Sequence, residues 1–209
     1  MLINDLFDQI AMILKETSDS TEYLLDSFTV PICDNIRIFQ VLLIQSQEYR
    51  AEPETLRLRV ILRRKNRYFY GVRMQLLATK SSIPVEYVFL LGSANDVRAL
   101  NALQLNLPPG SEVYTDSAYT NYTAEDDLEE SSQISLKVMR KKNSKRQDSL
   151  WEKYIKQCTR HYIETVFSSI TCVFPLINTC SHLSRVLLKL EALFLLLPFR
   201  QAFIELSNL

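Results

Sequence analysis

The feature that most restricts the fold is a pair of runs rich in aromatic and β-branched residues, Tyr68 to Ala78 and Ile83 to Leu91. Only Thr79-Lys80-Ser81-Ser82 separates them. Such side chains favour a pleated backbone, and so short a polar connection brings the two runs together as an antiparallel hairpin. A sheet started this way needs helices to cover it, and the sequence supplies them. From Trp151 to Ile170, the residues Trp151, Ile155, Cys158, Tyr162, Val166 and Ile170 share one predicted helical face, with Ile163 and Phe167 beside it. This is the strongest helical pattern in the chain. Leu2, Leu6, Ile10 and Leu14 recur at four-residue steps and predict a second amphipathic helix. Its early Asp5 and Asp8 and late Lys15 suit the helix dipole.

Between these elements, Tyr23 to Val30 reads as a strand that stops at Pro31. Asp96 to Leu103 reads as a short helix, Glu112 to Asp116 as a strand, Tyr122 to Glu130 as a polar helix, and Ile134 to Met139 as another strand. Arg57 to Leu62 is a further candidate strand, behind the loop-like Ala51 to Glu54. His182 to Leu206 is mostly helical, with Pro198 as a kink or stop. Strands and helices alternate, which predicts an α/β fold with helices flanking a mixed sheet. The domain is placed at 21–175, with an irregular 38–64 segment, between a helical segment 1–20 and a helical extension 176–209.

Composition narrows the function classes. Apolar residues make up 47% of the 209, enough for an ordinary soluble core. The longest apolar run of the last helix, Ala192 to Phe199, is far short of the roughly 20 residues that span a bilayer, so no membrane is expected. The glycines Gly71, Gly92 and Gly110 lie in no phosphate-cradling motif, so no nucleotide cofactor is expected. Four unevenly spaced cysteines and no leader-like stretch predict a reducing cytoplasm. Cys172, Cys180 and His182 match no zinc pattern, and Cys33 and Cys158 read as core or half-buried thiols.

Three acids stand out. Asp26 interrupts an apolar strand and Asp116 follows Val113-Tyr114 in another. A carboxylate in such a place needs solvent, a partner or a cation, and a hard divalent ion relieves the repulsion of two neighbouring acids. On pattern alone, two idle edge acids are the better account of them. Glu164 lies at the flank of the long helix with Arg160 one turn earlier, and by spacing alone the two make an ordinary surface ion pair. The run from Lys137 to Arg146 carries six positive charges and no acid, which suits either a solvated surface or a phosphodiester backbone. A second basic group, Arg63-Arg64-Lys65-Asn66-Arg67, precedes the Tyr68 strand. The acids Glu125, Asp126, Asp127, Glu129 and Glu130 on the polar helix read as a solvated face that keeps DNA away.

Six stretches, in order, resemble the DDE-type transposases of bacterial insertion sequences, in particular insertion sequence family nine-eight-two. They are Leu24-Leu25-Asp26-Ser27-Phe28 with Cys33 to Ile38, Arg67-Tyr68-Phe69-Tyr70-Gly71, and Leu91 to Val97. Tyr114 to Thr120, Arg140 to Arg146, and Arg160-His161-Tyr162-Ile163-Glu164 through Ser168 complete the set. The resemblance implies a ribonuclease-H-like fold in which Asp26, Asp116 and Glu164 bind two Mg2+ or Mn2+ ions. It also implies cleavage of double-stranded DNA at the element's ends and strand transfer to a target site. Arg160 is implied as the arginine that meets a phosphate near the acids. Lys141, Lys142, Lys145 and Arg146, and likewise Arg64, Lys65 and Arg67, are implied as DNA contacts. A homodimer associated with the nucleoid is the implied assembly.

Against the family pattern, only 25 residues precede Asp26, and Gln47 to Arg64 reads like an insertion or a shifted reading frame. The chain therefore reads as an N-terminally truncated member, and the irregular segment is expected to hinder pairing of the Tyr23 strand with the Tyr68 strand. A catalytically dead DNA-binding or structural remnant is the alternative.

Overall fold

The computed structural model describes residues 20–34, 59–62, 67–81, 83–91 and 96–173, together with Leu6, Gln9, Ile10, Met12, Ile13, Leu188, Lys189, Ala192 and Leu196. In chain order the elements are β1 (Glu22–Asp34), β2 (Arg59–Leu62), β3 (Arg67–Thr79), β4 (Pro84–Leu91), α1 (Asp96–Leu100), β5 (Glu112–Thr115), α2 (Tyr122–Ser132), β6 (Ser135–Val138) and α3 (Leu150–Val173). A short 3-10 turn, Ser117–Tyr119, follows β5.

The expected hairpin forms. β3 and β4 pair antiparallel from Val72↔Leu91 to Ala78↔Pro84, with a register shift between Leu77 and Ala78. The sheet has the order β2-β3-β1-β5-β6, and β4 shares with β2 the outer edge of β3. β1, β5 and β6 run parallel, whereas β3 is antiparallel to β1. This mixed sheet flanked by helices is the ribonuclease-H-like arrangement that the resemblance implies.

Two expectations about β1 are corrected. The strand does not stop at Pro31 but continues to Asp34, with a register shift between Pro31 and Cys33. β5 covers the other edge of β1 only from Glu22 to Leu25, so beyond that point no strand among the described residues pairs with this side, where proline's missing N–H and a bulge are tolerated. Nor is pairing with the Tyr68 strand hindered, because β1 is in register with β3 from Tyr23↔Thr79 to Asp34↔Phe69. Arg59 to Leu62 is indeed a strand, β2, added to the far edge of β3.

Alternation along the strands divides the sheet into two faces. One carries Tyr23, Leu25, Leu77, Val113, Leu136 and Val138, packed with Leu100, Leu103, Leu105, Tyr119 and Ile134. The other carries Leu24, Asp26 and Phe28 of β1, and it is covered by α3. There Phe28 stacks on Phe167 with ring centroids 5.2 Å apart.

The long helix forms as expected, but its inner face matches the one the apolar spacing selects only in part, at Val166 and the neighbouring Ile163 and Phe167. Trp151, Tyr154 and Tyr162 are exposed, as is Cys158, which corrects its reading as a core thiol. The buried positions are Lys156, Thr159, Ile163 and Val166. Two polar residues can lie inside because their polar atoms are satisfied: Lys156 Nζ donates to Val138 O at 2.9 Å and Thr159 Oγ1 to Ile155 O at 2.8 Å. The short helix α1 ends at Leu100, earlier than expected. In the N-terminal segment, Leu6, Gln9, Ile10, Met12 and Ile13 are helical, and Leu6, Met12 and Ile13 are exposed. Leu188, Lys189, Ala192 and Leu196 are likewise helical, and the remainder of that predicted helix lies outside the described residues.

Candidate active site

Parallel pairing of β1 with β5 ends at Leu25↔Thr115, so Asp26 and Asp116 are the next residues along two adjacent strands. By alternation both fall on the face covered by α3. Asp26 is within its strand, whereas Asp116 lies just past β5 and caps the turn Ser117–Tyr119. Each anchors its own carboxylate on the following amide: Ser27 N donates to Asp26 Oδ1 at 2.7 Å, and Ser117 N to Asp116 Oδ1 at 2.6 Å. The second oxygen of each stays available for another partner.

α3 brings the other two predicted residues over this edge. Arg160 Nη1 lies 3.5 Å from Asp116 Oδ1, and Arg160 Nε lies 3.7 Å from Glu164 Oε1. His161 Nδ1 is 3.5 Å from Glu164 Oε2. The guanidinium therefore bridges Asp116 and Glu164 loosely, and its buried Nε has no hydrogen-bond partner among the described residues. Asp26, Asp116, Lys156, Arg160 and Ile163 line one cleft. Glu164 is more exposed, with 57% of its side chain open to solvent, and it stands at the rim.

The cleft penalises negative charge. Burial raises the Asp26 carboxyl to about 6, with the Asp116 and Asp96 carboxylates adding to the effect. The Ser27 amide and the Arg160 guanidinium pull in the opposite direction. A carboxylate whose charge is this costly through burial, beside a second one, is an oxygen-only donor pair suited to a hard divalent cation. Among the described residues, however, no group of three or more His, Cys, Asp or Glu side chains is close enough to hold a metal ion. The donor chemistry of Asp26 and Asp116 fits such an ion, and Arg160 stands between this pair and Glu164.

The basic run is more structured than its composition suggests. Arg140 is buried and its guanidinium forks onto both oxygens of Glu125, Nη1 to Oε1 at 2.9 Å and Nη2 to Oε2. Glu125 is therefore not part of a solvated face, because this pairing supplies the charge its burial needs. Arg146 reaches Asp126 through two bonds of 2.8 and 2.7 Å and lies 5.0 Å above the Tyr122 ring. Lys137 lies 3.3 Å from Glu112. Lys141, Lys142 and Lys145 are exposed. Arg64 and Lys65 lie outside the described residues; Arg67 begins β3.

A polar cluster on the opposite face escaped the sequence reading. Asp96 Oδ1 accepts from Arg73 Nη1 at 3.0 Å and from Gln75 Nε2 at 3.1 Å, while the buried Tyr119 hydroxyl donates to Gln75 Oε1. Gln75 stands opposite Ser27, so this cluster backs the strand next to Asp26. Strand alternation places Arg73 and Gln75 on one face, but nothing in the sequence pairs them with Asp96. Lys156 was missed for a similar reason, since a lysine beside an apolar stripe reads as solvent-facing.

With this geometry in view, the comparisons with known proteins are few. A family model described as transposase DDE domain matches residues 17–197. No curated protein and no solved structure matches the chain. No helix among the described residues is long and apolar enough to cross a membrane.

Proposed function

Because the chain belongs to the transposase DDE-domain family, we propose that Asp26, Asp116 and Glu164 form its acidic triad and that it cleaves and joins DNA at the ends of an insertion sequence. The observation that carries this reading is the side-by-side placement of Asp26 and Asp116 under Arg160 at the edge of parallel strands. Within the family, the quoted stretches favour insertion sequence family nine-eight-two. The catalytic domain is taken as 21–175.

In this reading Asp26 and Asp116, joined by Glu164, would hold Mg2+ or Mn2+, which would supply charge neutralisation at the phosphate and a more acidic attacking hydroxyl. The protein's own residues do the rest. The Ser27 and Ser117 amides fix one oxygen of each aspartate, leaving the other directed by the backbone rather than by a mobile side chain. Arg160 turns from Asp116 to a non-bridging phosphate oxygen, where a guanidinium binds well. The exposed Lys141, Lys142 and Lys145 contact the duplex backbone. Attack by water cuts the strand and attack by a DNA 3′-hydroxyl joins it, so no covalent enzyme intermediate is required.

A second reading, a catalytically dead remnant, is favoured by the lack of an assembled three-ligand group among the described residues. Titration calorimetry with Mn2+ separates the two. The wild type binds the ion and Asp116→Asn does not, with unchanged circular dichroism. A wild type that binds no Mn2+ rules out the nuclease and leaves the remnant.

A further inference from the structure

The loop between β6 and α3 is held in shape to a degree that a solvated charge run does not need. Its neck is closed by Asp148: Oδ2 accepts from Arg140 N at 3.2 Å, while Oδ1 accepts from Lys156 Nζ at 2.5 Å. The same Nζ also donates to Val138 O, the last carbonyl of β6. Within the loop, Gln147 Nε2 donates to Lys142 O at 3.0 Å and to Ser144 O at 2.6 Å, and Ser144 N closes a turn on Lys141 O. The Tyr122 hydroxyl receives Lys145 N at 3.0 Å and bonds Ser144 Oγ. The loop backbone is thus tied from several sides, yet its three lysines remain exposed.

Lys156 is the link between this loop and the cleft. Its side chain is only 9% exposed, and it lines the cleft with Asp26, Asp116 and Arg160. No residue of the triad reading needs a buried lysine there. We infer that Lys156 is a positioning residue: it locks the neck of the 140–148 loop so that Lys141, Lys142 and Lys145 meet a duplex backbone at a fixed place relative to Asp26 and Asp116. The inference rests on the reading that the substrate is duplex DNA. Long lysine side chains on a mobile loop bind phosphates one at a time, whereas a fixed loop engages several together and releases their counterions together.

The test uses the full chain and a fluorescent duplex of arbitrary sequence, with affinity measured across a salt series. Each phosphate contact contributes roughly 0.9 to the slope of log affinity against log salt. Lys156→Met lowers that slope by about 2 to 3, Lys156→Arg restores most of it, and Asp148→Asn acts in the same direction but less. In the Lys156→Met background a further Lys142→Ala change has little effect, although it weakens binding in the wild type. Unchanged slopes with fully additive effects overturn the inference, whatever happens to the melting temperature. Should the wild type not bind duplex at all, the DNA reading falls. Amide exchange at Arg140, Ser144 and Lys145 then decides the remaining part: faster exchange in Lys156→Met, or in Asp148→Asn if the first variant does not fold, supports the lock, and unchanged exchange overturns it.

Discussion

Two arginines of this chain meet carboxylates in opposite ways. Arg140 is buried against Glu125, with side-chain exposures of 8% and 6%, and two of its nitrogens bond two oxygens. Arg160 is 42% exposed, touches Asp116 and Glu164 at 3.5 and 3.7 Å through single contacts, and leaves Nε without a hydrogen bond among the described residues. The first contact is a completed fork that fixes α2 to the start of the basic loop. The second is a loose bridge across the place where the acids converge. A desolvated, fully bonded pair is costly to disturb, while a solvated long contact exchanges partners easily. The framework is thus tight where it shapes the loop, and slack where a phosphate or cation would have to enter.

The largest effect should come from breaking the tight pair. Arg140→Met strands the buried Glu125 carboxylate, and removing one partner of a buried ion pair typically costs about 3–5 kcal/mol. Arg146 Nη1, 3.6 Å from Glu125, softens this, so the lower end of the range is expected in urea unfolding. A loss below about 1 kcal/mol, the value of a surface pair, would erase the distinction between the two arginines.

How much of this contrast could be read from the text of the chain differs between its two halves. The strands were legible because Tyr23 to Val30 and Tyr68 to Ala78 are apolar runs bounded by turn residues, and the short connection after Thr79 gives the pairing of β3 with β4; the pairing of β1 with β3, across the long segment after Asp34, was not legible. The side-by-side placement of Asp26 and Asp116 was foreshadowed too, since an acid in an apolar strand is unusual in itself. The inner face of α3 was legible only at Ile163, Val166 and Phe167, because an apolar stripe through Trp151, Cys158 and Tyr162 looks buried until the backbone shows Val138 O and Asp148 waiting for Lys156. Glu125 and Arg140 failed for the same reason. Each stands in a run of like charges, and only a long-range partner fifteen residues away decides that these two, out of their runs, are inside.

The next effect belongs to the slack side. Asp26 titrates near 6 in the folded chain, above the 3.8 of an unperturbed aspartate, so the folded state holds this proton more firmly than the unfolded one. Stability contributed by the neutral carboxyl is complete below about pH 4 and is lost as pH rises toward about 6. Above that, the ionised Asp26 costs on the order of 2–3 kcal/mol. Asp26→Asn should therefore be more stable than wild type at pH 7.5 in the presence of a chelator, with the gain vanishing near pH 4. Thermal unfolding at both pH values measures it. If the variant is less stable than wild type at pH 7.5, the cleft already compensates its charges and resembles the Arg140 site.

The smallest stability effect, and the sharpest use of the comparison, is expected for Arg160→Gln. Contacts of 3.5 and 3.7 Å from a side chain 42% exposed to solvent are worth at most about 1 kcal/mol, so the urea midpoint should barely move, in contrast to Arg140→Met. Cation binding should move more. At 4 Å a unit charge repels a like charge by roughly 1 kcal/mol even in water, and a divalent ion by twice that. Removing the guanidinium should tighten Mn2+ binding at pH 8 by about fivefold or more, provided the pH is high enough to keep Asp26 ionised once the field of Arg160 no longer helps it. A tighter site would mean that Arg160 is a resident counter-charge, holding Asp116 and Glu164 until an ion replaces it. A weaker one would mean that the arginine orders the acids for the ion, and the loose bridge would then belong with the framework after all.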